Sequence, residues 1–357
     1  MTRKSLRFIL IAIVFATSLS IRAAEDSPRE RLLFDFGWKF HLGDAPDAGN
    51  KLFYPEVADV SKTRVEQIGQ EGEANVPDPV ATNLGGDISF VQPDFDDSGW
   101  RQLNLPHDWV VELPFDPKAE LRHGFKPVGT NYVTNSIAWY RRSFDLPESD
   151  RDKTLWLEFD GIYRNSLVWL NGHCLGRHLS GYSSFRYDIS KYANYGGKNE
   201  LVVRVDATRF EGWFYEGAGI YRHVWLVKTA PLAIAPDGIF IWSKFKNNVP
   251  KGRPEIHIQL KLLNWQTNAA KITLKNEIQS PDGEEITTLS QKMELPPNSE
   301  KELNEMTRIS KPDLWSPESP SLYKLVTTIE SDGTVVDQKE TAFGIRTVAF
   351  DSTNGFL

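Results

Sequence analysis

The chain has 357 residues, of which 40% are hydrophobic, and this is enough for two ordinary domains with separate cores. Its formal charge of -7 argues against binding to nucleic acid or to an anionic membrane surface. Cys174 is the only cysteine, which excludes an intrachain disulfide, so packing must stabilise the fold.

The first 24 residues are typical of a secretory signal peptide. Three basic residues precede an apolar stretch from Phe8 to Ala16, which is short for a bilayer span, and small residues follow as far as Ala24. Cleavage there removes four basic residues and no acidic one, so the formal charge falls from -7 to -11. We expect export across the inner membrane to a bacterial periplasm or cell surface, with no membrane span left after cleavage. An uncleaved anchor is the alternative.

Residues 44–98 are rich in Gly, Pro, Asp and Asn and show little alternation, so they predict a long surface insertion after the first strand. Beyond the insertion, apolar residues recur with a period of two. Leu155, Leu157 and Phe159 fall on one face of a strand, and Asn171-Gly172 forms a tight hairpin turn. Residues 25–229 are therefore predicted to form an antiparallel sandwich, in which Cys174 is a small apolar filler rather than a nucleophile.

A second domain is predicted over residues 230–347. Ile256, Ile258, Leu260 and Leu262 alternate with polar residues, and turn sequences follow at 281–283 and 331–333. This length and spacing favour an immunoglobulin-like β-sandwich. Residues 348–357 are interpreted as the start of a further domain.

Four motifs in the first domain occur in an order that resembles a known family. They are LPHDW at 105–109, FDGIYRN at 159–165, WLNGH at 169–173 and GAGIYRHVW at 217–225. Together they resemble the N-terminal sugar-binding domain of family 2 glycoside hydrolases, the β-galactosidase and β-glucuronidase group. LWSPESP at 314–320 and FGIR at 343–346 are similar to the second domain of that family.

The resemblance implies an all-β fold, a jelly-roll-like (galactose-binding-like) sandwich followed by an immunoglobulin-like β-sandwich. The full-length form would be a secreted, β-galactosidase-like enzyme that hydrolyses terminal β-linked sugars with retention, on a barrel that residues 348–357 would begin. This chain is then expected to be the truncated, non-catalytic N-terminal part, inactive alone and without a cofactor. The full-length enzyme could form a homo-oligomer.

Alternatives remain at the level of the sequence. The specificity could be that of a β-glucuronidase or a β-mannosidase. The chain could also be a complete, non-catalytic carbohydrate-binding protein, or an interaction module without affinity for sugars.

No catalytic residue and no metal ligand set is assigned. Glycoside hydrolysis needs two carboxyl groups across the scissile bond, and the resemblance implies that both lie on the barrel, one of them after an Asn. Glu200, Glu277 and Glu305 each follow an Asn but lie in strand patterns, so they are predicted to be solvated charges on a β surface. His107-Asp108-Trp109 is predicted to be a structural corner, with Asp108 bonding backbone donors and Trp109 in the core.

Two loops are candidates for contact with a carbohydrate. In residues 123–132, Asn131 could hydrogen-bond hydroxyl groups and Tyr132 could stack on a sugar face. The resemblance also implies an acidic residue that touches the sugar shortly before the GAGIYR motif. In the stretch 209–216, Trp213 occupies that position and Glu216 ends the stretch. The candidate residues are therefore Asn131, Tyr132, Trp213 and Glu216, and either loop could instead serve interdomain packing.

Overall fold

The structure is a computed structural model that describes residues 28–53, 78–211, 216–353 and 355–356. The predicted signal segment and Trp213 lie outside these residues. The all-β prediction is confirmed, because antiparallel sheets make up two sandwiches. Among the described residues no helix is both long and apolar enough to cross a membrane.

The first sandwich consists of a six-stranded and a four-stranded sheet, with strand orders β3-β2-β4-β9-β6-β7 and β1-β10-β5-β8. One short helix, α1, precedes β4. The bounds are β1 Glu30–Leu33, β2 Trp38–Leu42, β3 Arg101–Leu103, α1 Val133–Ser136, β4 Ile137–Leu146, β5 Thr154–Phe159, β6 Ser166–Leu170, β7 His173–His178, β8 Phe185–Asp188, β9 Gly197–Asp206 and β10 Val224–Thr229.

A continuous apolar core fills the space between these two sheets. Leu155, Leu157 and Phe159 of β5 are fully buried in it, as their alternation predicts. The turn between β6 and β7 also agrees with its sequence, because Asn171 and Gly172 have φ angles of 51° and 81°.

The insertion packs against the outer face of the six-stranded sheet. Its described part contributes Leu52, Ile88 and Phe90 to a second apolar cluster, and the sheet contributes Trp139 and Trp169, whose rings stack 5.5 Å apart. The prediction of a surface loop is therefore wrong for these residues. Their apolar side chains are separated by Gly, Asp and Asn without a strand or helix period, so the sequence pattern did not reveal them.

The second sandwich has seven strands in sheets of three and four, with orders β11-β12-β15 and β14-β13-β16-β17. A two-stranded hairpin of β18 and β19 follows in the segment predicted to begin a further domain. The bounds are β11 Leu232–Lys244, β12 Glu255–Asn264, β13 Ala270–Gln279, β14 Glu285–Leu295, β15 Ser299–Arg308, β16 Tyr323–Ser331, β17 Thr334–Phe343, β18 Phe350–Asp351 and β19 Gly355–Phe356.

The two sandwiches are joined by more than the link between β10 and β11. Arg29, just before β1, donates to both carboxylate oxygens of Asp337 in β17, at 3.0 and 2.7 Å, and to the carbonyl of Ile234, at 2.7 Å. Asp337 is completely buried and also accepts the backbone N–H of Ile234. Such a buried pair is strongly destabilising to break, because the remaining charge is left without a partner.

Candidate functional site

The motifs found in the sequence meet at one place, called here the motif crossing, where residues 105–109, 159–165 and 217–225 pass each other. The backbone of residue 107 donates to Ile220, at 2.8 Å, and the backbone of residue 109 donates to Ala218, at 3.1 Å. Tyr163 and Gly219 form a reciprocal pair of backbone hydrogen bonds of 2.9 and 2.7 Å. Segments more than 50 residues apart are thereby held in one layer.

Asp108 is the polar centre of the motif crossing. Its Oδ1 accepts the N–H of Val110, which caps the short 3-10 turn Trp109–Glu112, and the N–H of Ala218, both at 2.9 Å. Trp109 is buried in the core. The prediction of a structural corner is therefore confirmed.

The glycines of the GAGIYRHVW motif are required by this close approach. A Cβ atom on Gly217 would lie 2.0 Å from a carboxylate oxygen of Asp108, and a Cβ atom on Gly219 would lie 2.4 Å from the carbonyl oxygen of His107. Gly219 also has a φ of 133°, which side chains rarely tolerate. The motif thus fixes a backbone crossing rather than supplying chemistry.

His107 is buried beneath the crossing. Its Nδ1 lies 2.8 Å from the hydroxyl of Tyr140, and its Nε2 lies 2.8 Å from Arg101 and 3.2 Å from Glu112. Burial lowers the pKa of His107, against the opposing effect of the Glu112 carboxylate. Tyr140 is fully buried and His107 is 9% exposed, so these two side chains are structural.

A second polar cluster joins Glu211 and Glu216, the described residues on either side of positions 212–215. The backbone N–H of Glu211 donates to Oε1 of Glu216, at 2.8 Å, and to the hydroxyl of Tyr163, at 3.0 Å. Burial and the adjacent Glu216 carboxylate raise the pKa of Tyr163, so its hydroxyl stays protonated and donates to that carboxylate. Glu216 is 4% exposed and holds the base of the loop, and its contact with a sugar stays a prediction.

The Glu211 carboxylate links this loop base to the turn after β7. It accepts from the N–H of Gly181, at 2.6 Å, and from the hydroxyl of Ser180, at 3.0 Å, and it lies 3.6 Å from Arg164. Tyr182 packs edge-on against Tyr163 and is 54% exposed, so its aromatic ring is accessible at the surface beside this cluster. No sequence pattern indicates this cluster, because the segments that it joins lie about 30 to 50 residues apart.

Asn131 and Tyr132 lie immediately before α1, on a loop remote in sequence from Glu216. Asn131 is exposed, whereas Tyr132 is half-buried and its hydroxyl donates to Asp116, at 2.8 Å. The Tyr132 ring is thus oriented by a carboxylate, as a stacking residue needs to be. The hydroxyl is already engaged, so a sugar would have to use the ring face and the Asn131 amide.

The carboxylates that follow Asn are not all solvated, which corrects the prediction for two of them. Glu200 is 4% exposed, accepts from the hydroxyl of Ser143, at 2.5 Å, and lies 3.6 Å from the buried Arg141. Glu305 is half-buried and accepts from Asn276, at 2.8 Å, and from Gln291, at 2.5 Å. Both are therefore partners of internal polar groups.

Cys174 is buried in the cluster beneath the insertion, and burial raises the pKa of its thiol to about 11, which agrees with the prediction of an apolar filler. Within residues 28–53, 78–211, 216–353 and 355–356, no group of three or more His, Cys, Asp or Glu side chains is placed to hold a metal ion.

Comparison with known families assigns both sandwiches. Residues 104–219 match the domain described as "Glycosyl hydrolase 2 galactose-binding domain-like", which includes most of the motif crossing. Residues 237–346 match the domain described as "Glycosyl hydrolases family 2" and span nearly all of the second sandwich. The fold is thus a galactose-binding-like sandwich followed by an immunoglobulin-like one.

Individual relatives agree with this assignment. The chain is 31% identical over 333 residues to the β-galactosidase BoGH2A of Bacteroides ovatus, and the match covers 92% of this chain and 33% of that protein. It is 26% identical over 283 residues to a β-glucuronidase of Formosa agariphila, covering 73% of this chain and 28% of the relative. The chain therefore spans about a third or less of these relatives.

Solved structures show the same arrangement. A glycosyl hydrolase family 2 member from Bacteroides cellulosilyticus superposes with a TM-score of 0.72 at 27% identity, covering 92% of this chain and 36% of that one. A β-glycosidase from Bacteroides vulgatus gives 0.69 at 31% identity, with coverages of 92% and 35%. The chain belongs to glycoside hydrolase family 2.

Proposed function

We propose that this chain is the non-catalytic N-terminal part of a secreted, β-galactosidase-like family 2 glycoside hydrolase from a bacterium. Its full-length form would hydrolyse terminal β-linked sugars with retention of configuration. The match of residues 104–219 to a galactose-binding-like domain supports this proposal most directly. The relative named β-galactosidase, which matches 92% of this chain, supports the choice of sugar.

The second candidate is a β-glucuronidase, which is favoured by the names of other relatives such as the Formosa agariphila protein. A β-mannosidase has no comparable support among the relatives described above. Export to the periplasm or cell surface is part of the proposal and depends on the signal-like sequence of the first 24 residues.

The partners of the three glutamates that follow an Asn support the expectation that this chain alone is not catalytic. Retaining hydrolysis requires two carboxyl groups about 5 Å apart on either side of a sugar. Glu200 and Glu305 are engaged with internal partners, and Glu277 accepts from Gln279 on the same strand, at 2.7 Å. We therefore expect that the isolated chain does not hydrolyse a chromogenic β-galactoside. Turnover that disappears on mutation of any of these three would overturn this expectation.

The proposed sugar contact at Asn131 and Tyr132 is open and buries only part of a monosaccharide, so we expect a Kd for galactose on the order of millimolar, about -4 kcal/mol. Tyr132→Ala and Asn131→Ala should each abolish binding at this loop and thereby lower the galactose signal in calorimetry. Tyr132→Phe should retain it, because the ring remains and only the bond to Asp116 is lost.

Asn304→Ala is the matched control, since Asn304 is an exposed asparagine on β15 of the other sandwich. If Tyr132→Ala and Asn131→Ala leave galactose binding unchanged, or if both lower the melting temperature by several degrees, the loop is structural packing and not a sugar site.

A further inference from the structure

A cleft of about 650 Å³ lies between the two sandwiches. One wall is formed by the four-stranded sheet, with Glu158 on β5 and Arg186 on β8. The opposite wall is formed by the second sandwich, with Asp237 on β11 and with Gln338 and Lys339 on β17. Its volume falls in the range of about 300–1,000 Å³ that is usual for small-molecule sites.

The charges that line the cleft are balanced. The basic residues are Arg29, Arg31, Arg186 and Lys339. They face an equal number of acidic residues, Glu158, Asp160, Asp237 and Glu340. A site without net charge gives no advantage to an anion or a cation, and it presents both donors and acceptors to a ligand.

Three of the four basic residues are already paired. Arg29 binds Asp337, Arg31 lies 3.4 Å from Glu158, and Arg186 lies 2.5 Å from Asp237. The Arg31 and Arg186 pairs are partly exposed and orient their side chains only weakly. The Arg29 pair, in contrast, ties the first sandwich to β17, so the separation of the walls is set by a buried contact.

Lys339 differs from these arginines. Among the described residues it has no hydrogen-bond or ion-pair partner, although its side chain is half-buried. Burial and the charge of Arg29 lower the pKa of its ammonium group. Beside it, Gln338 is exposed, and its amide nitrogen donates to Thr328, at 3.0 Å, which leaves its amide oxygen as an acceptor. Asp237 is 80% exposed although it is paired with Arg186. The wall formed by the second sandwich thus offers accessible donors and acceptors to a ligand.

We propose that this interdomain cleft binds a neutral saccharide, whose hydroxyl groups bridge the two sandwiches through Lys339, Gln338 and Asp237 on one wall and Arg186 and Glu158 on the other. A hydroxyl group both donates and accepts, which matches a charge-balanced lining. The site is separate from the Asn131-Tyr132 loop and does not depend on it.

The affinity should be weak, because stacking contributes little. Phe185 is the aromatic residue among the lining groups, and its ring already stacks on Phe159, at 5.0 Å, and on His178, at 4.0 Å. Hydrogen bonds that replace water contribute little each, so a Kd on the order of millimolar is expected.

The test is a titration of the full chain with lactose, followed by ligand-observed NMR, with sodium glucuronate as an anionic probe. In the Tyr132→Ala background, where the loop no longer binds, Lys339→Met should weaken lactose binding at least about fivefold, and Gln338→Ala should weaken it to a smaller extent. Lys275→Met is the control, because Lys275 lies in the same sheet and pairs with Glu330, at 2.6 Å, away from the cleft. Tyr132→Ala separates the two sites, since it should leave the cleft signal in place.

The proposal is overturned if wild-type chain does not bind lactose, if Lys339→Met behaves like Lys275→Met, or if glucuronate binds more tightly than lactose. Loss of all lactose binding in Tyr132→Ala would assign the signal to the loop and would also overturn the proposal of a site in the cleft. Melting temperatures of each variant establish that a loss of binding is not a loss of folding.

Discussion

Strand β6 of the first sandwich is buried along its whole length, whereas β12 of the second sandwich is buried at alternate positions from Glu255 to Leu262. The difference arises because β6 has the main core on one face and the insertion on the other, while the second sandwich has one core and a solvated outer face. Positions with no spare volume are therefore concentrated in the first sandwich, and the motif crossing is among them. Substitutions that need extra space should be tolerated better in the second sandwich.

The strongest test of this comparison is Gly219→Ala. We expect it to lower the free energy of unfolding of the first sandwich by roughly 4 kcal/mol, because the added Cβ would lie 2.4 Å from a backbone oxygen at a φ of 133°. Differential scanning calorimetry should show the loss in one transition, with the second sandwich unchanged.

Gly37→Ala is the matched control, since Gly37 also has a positive φ, 77°, but nothing within 4 Å of the added atom. Its cost should be about 1 kcal/mol. Equal costs at the two glycines would show that the crossing can relax.

A smaller effect is expected at the contact between the sandwiches. We predict that residues 25–229 and 230–347 unfold as separate units, coupled through Arg29. Arg29→Ala should cost about 3 kcal/mol, because it leaves the Asp337 carboxylate buried without its cation, and it should move the two calorimetric transitions further apart.

Arg31→Ala provides the comparison, because the Arg31 side chain is 47% exposed and its ion pair should contribute less than ~1 kcal/mol. A single shared transition in the wild-type chain, in calorimetry and limited proteolysis alike, would contradict the division into two units.

The smallest effect concerns pH. Burial lowers the pKa of His107 and of His178 from the ordinary value of 6.5, so the unfolded chain binds more protons than the folded one below neutrality. The stability of the first sandwich should therefore be complete above pH 6.5 and fall as the pH is lowered below it, measured as urea midpoints between pH 8 and 5.

His107→Gln should flatten this dependence, whereas His257→Gln, in the second sandwich, should not. A first sandwich whose stability is independent of pH in this range would show that these histidines are protonated equally in both states.

The sequence predicted the regular part of the fold well. In the second sandwich the alternation of Ile256, Ile258, Leu260 and Leu262 corresponds directly to burial, and in the first the Asn171-Gly172 turn forms as expected. Both features depend on neighbours within a few residues, which a period or a turn preference records.

What the sequence could not predict depends on distant partners. A glutamate in a strand pattern predicts a surface position, and only the approach of Arg141 and Ser143 from β4 makes Glu200 internal. The Glu211 cluster and the packing of the insertion likewise depend on residues that are distant in the sequence. For the candidate site, the motifs located the crossing, but the loop base that holds Glu216 appears only when three segments come together.

The pairing of β1 with β10 joins Glu30 to Lys228, and Arg29 reaches a partner 308 residues later in the chain. During synthesis, β1 therefore stays unpaired until almost 200 further residues have emerged. The contact between Arg29 and Asp337 can form only later still. Contacts so distant in sequence close slowly. A nascent chain of this protein exposes β1 as an unpaired strand until β10 has been made, and an unpaired strand of this kind can pair with other chains.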